Sequence, residues 1–209
     1  VAESARRLHS MGGIFALKVC VYAICKNESQ FVDRFMDSMS EADYVCVLDT
    51  GSSDDTVKKL RARGAIVGET VVSPWRFDTA RNESLGLIPA DADICCAIDL
   101  DEQFHPGWRA ALERAWQPDT TRARYRYTWS FRPDGSEGMV FWADKIHKNG
   151  CYRWASPVHE TLAYTGEGAE RFVDAAGVQL DHHPDETKSR GQYLPLLELA
   201  VREDPQNDR

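Results

Sequence analysis

Between residues 17 and 98 the chain carries four short apolar, β-branched runs, and three of them stop abruptly at polar clusters. The runs are Leu17 to Ile24, Tyr44 to Leu48, Ala65 to Val72 and Ile94 to Ile98. Helix-period patterns separate them: Phe31, Phe35, Met36 and Met39; Val57 and Leu60 running to Gly64; and Phe77 to Leu87. A fourth helix is expected over Pro106 to Trp116, with Pro106 near its first turn. Nearly all-apolar strands alternating with helices predict an α/β domain built on a mostly parallel sheet covered on both faces. In such sheets ligands bind beyond the carboxyl ends of the strands. The clusters Lys26-Asn27-Glu28, Asp49 to Asp54 and Asp99 to Glu102 fall at those ends, so folding gathers them along one edge.

The second half reads differently. Arg122 to Phe131 and Met139 to Ile146 are aromatic-rich, alternating runs separated by Pro133-Asp134-Gly135-Ser136, a hairpin signal. Cys151 to Tyr164 and Arg171 to Asp181 add irregular strand and loop. Thr187 to Glu203 reads as an amphipathic helix with leucines at 194, 196, 197 and 199. The expected organisation is an N-terminal extension or upstream remnant over 1–16 (Met11 lies within it), a domain over 17–186 with a smaller β-rich portion, and a C-terminal helix over 187–209.

With 209 residues and 43% hydrophobic content, the chain suits one domain with a core of its own. A net charge of -8 argues against nucleic-acid binding, which needs a basic face. No apolar run approaches the roughly 20 residues needed to span a bilayer, and VAESARRLHSMGG has no apolar leader core, so a soluble cytoplasmic protein is expected. Cys20, Cys25, Cys46, Cys95, Cys96 and Cys151 form no C-x-x-C pair and mostly sit in apolar runs. They read as buried thiols rather than a disulfide or zinc framework.

Asp99 and Asp101 flank a single residue. In an extended segment both carboxylates would face one side, a pair of hard oxygens suited to Mg²⁺ or Mn²⁺ and, through it, phosphate. A solvated acidic loop is the alternative. Asp49 in D-T-G-S-S-D could accept hydrogen bonds from a base or ribose, or could simply close a Gly-Ser turn before a helix cap. The cluster is not a phosphate loop, and no G-x-G-x-x-G is present. Arg81 could hold a diphosphate or orient a carboxylate, or lie on the surface. Glu160 is the candidate general base, and His182 or His183 a candidate metal ligand. Trp129, Phe131, Phe141, Trp142 and Trp154 could form a stacking floor or pack a hairpin onto the sheet.

Taken together, Cys25-Lys26-Asn27-Glu28, Asp49 to Thr56, Phe77-Asp78-Thr79-Ala80-Arg81-Asn82 and Asp99-Leu100-Asp101-Glu102 resemble, in order and spacing, a family 2 glycosyltransferase of GT-A fold. The resemblance spans roughly residues 17 to 183. It is closest to the bacterial branch whose catalytic domain precedes tetratricopeptide-like helices, a branch that includes peptide and protein glycosyltransferases, and the tail from Tyr193 resembles the approach to such a repeat. It implies an inverting, metal-dependent transfer from a nucleotide-diphosphate sugar, UDP-sugar favoured, to a hydroxyl or thiol of a peptide, protein, glycan or small molecule. By position it implies that Lys26, Glu28 and Asp49 line the nucleoside pocket and that Arg81 lies near the donor. It implies that Asp99, Leu100 and Asp101 form the D-x-D that binds metal and diphosphate, and that His182 completes the metal site. Glu160 would be the base, with Asp185 and Glu102 as rivals. Two other readings stay open: a nucleotidyltransferase, although the basic glycine-rich loop it needs after the first strand is missing, and a degenerate domain serving as scaffold or carbohydrate-binding module.

Overall fold

The computed structural model describes residues 17–185, 191 and 193–206. The chain runs β1 (Val19–Cys25), α1 (Val32–Ser38), β2 (Tyr44–Asp49), α2 (Thr56–Ala62), β3 (Ile66–Glu69), α3 (Phe77–Leu85), β4 (Ile94–Ala97), β5 (Glu102–Phe104), α4 (Trp108–Ala115) and β6 (Arg122–Thr128). It continues through β7 (Val140–Lys148), β8 (Tyr152–Ala155), β9 (Thr161–Tyr164), β10 (Phe172–His182) and α5 (Tyr193–Glu203). One eight-stranded sheet has the order β3-β2-β1-β4-β7-β6-β10-β5, and β8 and β9 form a separate hairpin. The expected extension over 1–16 and the start of the C-terminal segment at 186–190 lie outside the described residues, where a single helix, α5, is seen from Tyr193.

The first four strands are parallel, β2 to β3, β2 to β1 and β1 to β4. Every residue of β1 and β4 is buried, which is why those strands lack alternation: both faces are covered. One face packs on α1, α4 and the turn after α1 through Phe35, Trp108, Leu112 and Met39, and the other, through Tyr22, on Trp154 and Leu162 of the β8–β9 hairpin. Direction reverses at β7, which is antiparallel to both β4 and β6, while β10 lies parallel to β6. The sheet is therefore α/β and mixed, parallel in its first half.

Two details depart from expectation. Pro106 stands outside α4: Gly107, at φ 84°, precedes the helix, a left-handed conformation that glycine adopts without steric cost. The three-residue β5, antiparallel to the end of β10, was not anticipated, because a strand that short has no readable period. The six cysteines are all free thiols. No helix among the described residues is long and apolar enough to cross a membrane.

Candidate active site

The inward face of α3 carries Asp78, Arg81 and Ser84 beside Ala80, so this helix buries polar groups where a core helix would bury apolar ones. Arg81 is 3% exposed. Its Nη2 donates to Asp99 Oδ1 at 2.6 Å and its Nε to Glu160 Oε1 at 3.1 Å, while the guanidinium lies 5.4 Å over the Trp154 ring. Burial opposes its charge, but Asp99 and Glu160 outweigh burial and hold its pKa above the ordinary arginine value. Its Nη1 is buried with no acceptor among the described residues.

Helix α3 also fixes the segment that delivers Glu160. This residue ends the loop joining β8 to β9, in which Ser156 and His159 have positive φ. The Phe77 amide donates to the Pro157 carbonyl at 3.0 Å. The Asn82 side chain donates to the Trp154 carbonyl at 2.9 Å and accepts from the Trp154 amide at 2.8 Å. The F-D-T-A-R-N motif therefore grips this hairpin at three points, a role that sequence reading did not assign to it.

Beyond β4 the chain does not stay extended. The Glu102 amide donates to the Asp99 carbonyl at 3.0 Å, closing a turn over Asp99-Leu100-Asp101. The expectation of two carboxylates on one side of an extended segment is corrected: a turn splits them, and Leu100 between them is fully buried in the core. Asp99 faces Arg81, with Lys145 Nζ 3.9 Å from its other oxygen. Burial would raise the Asp99 carboxyl, but Arg81 and Lys145 outweigh it and hold the pKa below the usual carboxylate value. Asp101 instead faces His182, with Oδ2 3.4 Å from Nε2. The His182 Nδ1 lies 3.1 Å from the Trp129 carbonyl, which can only accept, so Nδ1 carries the hydrogen and the Nε2 of the neutral ring is left as a lone pair toward Asp101. Burial lowers the His182 pKa, yet Asp101 overrides it and the net direction is upward.

Glu102 sits underneath, 2% exposed. It accepts from the Asp99 amide at 2.8 Å and from the Tyr127 hydroxyl at 2.6 Å. Burial raises its pKa, with Lys145 offsetting only part of that rise. As a buttress of the turn it does not present a free carboxylate to an acceptor. Among the described residues, no three His, Cys, Asp or Glu side chains converge on a single point. Of the expected metal set, Asp101 and His182 meet, whereas Asp99 is turned to the two cations.

The loops after β1 and β2 are knitted together. Ser53 donates from its amide to Asn27 Oδ1 at 2.7 Å, and Asn27 donates from its amide to Ser52 Oγ at 2.7 Å. Asp49 Oδ1 accepts from the Gly51 and Ser52 amides at 2.9 and 2.8 Å, and its other oxygen from the Ser52 hydroxyl. At 2% exposed, Asp49 closes its own loop, the turn that its sequence also allowed, and does not stand open to a base. Lys26 is exposed, and the Glu28 amide donates to Thr56 Oγ1 at 2.8 Å. Asp54 accepts from Thr56 and Ser29; these bonds outweigh burial and hold its pKa at about 2.

The aromatic residues divide. Trp154 is buried beneath Arg81. Trp129, Phe131 and Phe141 are 42%, 38% and 42% exposed and form an open shelf, whereas Trp142, next to Phe141 in β7 and 52% exposed, points to the other face of the sheet. Trp129 stacks on His182 at 4.5 Å and Phe131 on His183 at 5.3 Å, so the shelf borders the site.

Two cations escaped sequence reading. Lys145 lies in a strand whose register cannot be read from composition. Arg34, on α1, stacks on Phe31 and buries Nε and Nη2 with no acceptor among the described residues.

No protein-family model matches the chain. Among solved structures, a mycobacterial protein is similar over 82% of this chain and 69% of its own, with a TM-score of 0.54 and 16% identity, a likeness of fold alone. Glucosyl-3-phosphoglycerate synthase from Mycobacterium tuberculosis, in complex with Mn²⁺, UDP and glucosyl-3-phosphoglycerate, is similar over 53% of this chain, with 26% identity and a TM-score of 0.44. The complex of that enzyme with Mn²⁺, UDP-glucose and phosphoglyceric acid matches over 57% of this chain, with 23% identity and a TM-score of 0.45. The match spans 44% of the length of the first of these enzyme structures. The fold is of the α/β class: a large central sheet flanked by helices, with polar groups gathered at the strand ends.

Proposed function

We propose that this protein is a glycosyltransferase that moves a sugar from a nucleotide-diphosphate donor, a UDP-sugar by preference, to an acceptor hydroxyl or thiol with inversion. One observation carries this reading. Arg81 ties Asp99 to Glu160 at the mouth of the sheet, beside the Asp101–His182 pair, joining segments far apart in sequence.

Asp101 and His182 would hold a divalent ion. One carboxylate and one oriented imidazole lone pair suit Mn²⁺ or Mg²⁺, which completes its shell with water and substrate phosphate. Bound there, such an ion supplies neutralisation of charge on the leaving diphosphate. Glu160 acts as general base, accepting the acceptor proton as the oxygen or sulfur attacks the anomeric carbon. Arg81 fixes the orientation of that carboxylate. Asp99 anchors Arg81, and Glu102 holds the turn that separates Asp99 from Asp101. The knitted loops over 26–29 and 49–55 flank the nucleoside, with Lys26 and Glu28 toward it and Asp49 acting by shaping its loop. The aromatic shelf receives the acceptor.

The test is calorimetric titration of UDP and GDP with and without Mn²⁺, followed by release of nucleoside diphosphate from UDP-sugars in wild type and in Glu160→Gln. Manganese-dependent UDP binding, with turnover abolished in the variant, is expected. Pyrophosphate release would replace the reading with a nucleotidyltransferase. Absence of nucleotide binding by the folded protein would replace it with a scaffold.

A further inference from the structure

Lys145 has no part in the reaction as described, yet the fold sets it at the centre of the site. Ala123 pairs with Ile146, but Tyr125 pairs with Ala143, so β7 carries one residue more than β6 between these pairs. This is a β-bulge, a device that re-aims side chains near functional sites. Ala143 and Ile146 both meet the core face that holds Tyr125 and Tyr127. In an unbroken strand, residues three apart would point to opposite faces. The bulge absorbs the mismatch and leaves Asp144 and Lys145 on the other face. There Asp144 engages Arg122 at 3.1 Å and Lys145 approaches Asp99.

The two cations beside Asp99 are not equivalent. The Arg81 side chain is 4% exposed and committed to two carboxylates beneath the surface. The Lys145 side chain is 33% exposed, as is that of Asp99. At 3.9 Å the ammonium is beyond hydrogen-bonding distance of Asp99, and it makes no hydrogen bond among the described residues. It thus offers three unspent donors and a full charge at a mouth otherwise lined by Asp99, Asp101 and Glu160. An incoming diphosphate would be repelled by those carboxylates and needs cations to receive it.

We propose that Lys145 is a donor-binding residue that contacts the diphosphate of the nucleotide sugar and takes up charge developing on it as the sugar leaves. This rests on the glycosyltransferase reading. A lysine on a flexible stem can leave Asp99 for the phosphate and return after product release.

The experiment is calorimetric titration of UDP with Mn²⁺ into wild type, Lys145→Gln, Lys145→Arg and the double variant Asp99→Asn/Lys145→Gln, with melting curves run alongside. Lys145→Gln should weaken UDP binding roughly ten-fold, the worth of a charge-assisted hydrogen bond. Lys145→Arg should keep affinity within about three-fold of wild type on the same basis. The double variant should bind no better than Lys145→Gln. UDP affinity unchanged in Lys145→Gln would overturn the proposal. So would recovery to wild-type affinity in the double variant, which would make Lys145 only a counter-ion for Asp99. If wild type binds no nucleoside diphosphate, the glycosyltransferase reading itself falls.

Discussion

Replacing Arg81 with methionine keeps most of the side chain's volume and removes its charge. Two carboxylates then lose their shared partner: Asp99, bonded at 2.6 Å, and Glu160, bonded at 3.1 Å. Removing one partner of a buried pair costs about 3–5 kcal/mol. Asp99 is one-third exposed and keeps Lys145 nearby, so the low end applies, about 3 kcal/mol. For a chain of this size that is a fall of roughly 6–12 °C in Tm. Glu160 also loses its orienting contact, and a displacement of that kind costs on the order of a hundred-fold in rate. Differential scanning fluorimetry gives the first number and nucleoside diphosphate release from a UDP-sugar the second. Arg81→Lys should fall between, since an ammonium cannot fork to both carboxylates. A methionine variant that melts within about 2 °C of wild type, a shift worth at most about 1 kcal/mol, and turns over normally would refute the clamp.

Three further outcomes follow from the geometry. Asp101→Asn and His182→Ala should each abolish the manganese dependence of UDP binding, checked by titration in manganese and in chelator; Asp101→Asn should leave Tm nearly unchanged, whereas His182→Ala, which also loses its contacts with Trp129, should lower it. Asn82→Ala removes both side-chain bonds to the Trp154 backbone and should cost about 2 kcal/mol, with turnover falling further than UDP affinity because the Glu160 loop is loosened. His147 is buried against the Tyr22 hydroxyl at 2.8 Å, and burial lowers its pKa from 6.5 to about 4. The unfolded chain takes up that proton first as pH falls, so this contribution to stability is whole above 6.5 and is lost by about 4, a drop of about 3 kcal/mol. Urea melts across that range should show the acid limb, shallower in His147→Gln.

Sequence made the first half of the fold legible, because strands buried on both faces appear as unbroken apolar runs and their carboxyl ends as sudden polarity. That logic marked Asp99 and Asp101, whereas Arg81, Glu160 and His182 were marked by their side-chain chemistry and by the family resemblance. It stopped at backbone geometry. The D-x-D spacing says nothing about whether Leu100 lies in a strand or a turn, and the turn sends its neighbours to different partners. Lys145 was invisible because a bulge breaks the two-residue period that assigns faces. Asp49 had two readings, and only its bonds to Gly51 and Ser52 show how its oxygens are spent. Glu102 looked like a third acid in a row, whereas the Tyr127 hydroxyl 25 residues away makes it part of the foundation.

The seam between β4 and β7 bears on how such a molecule diversifies. The parallel and antiparallel halves of the sheet meet there through only three residue pairs, Ile94 with Lys148, Cys95 with His147 and Cys96 with Ile146. Beyond the seam, the exposed aromatic residues on β6, β7 and their connecting loop belong to one local hairpin ladder. Substitutions along Trp129 to Trp142 can therefore accumulate without disturbing the register of β3-β2-β1-β4, where the loops over 26–29 and 49–55 are anchored. On the proposed function, drift in that one hairpin alters the face assigned to the acceptor while the half assigned to the donor keeps its register.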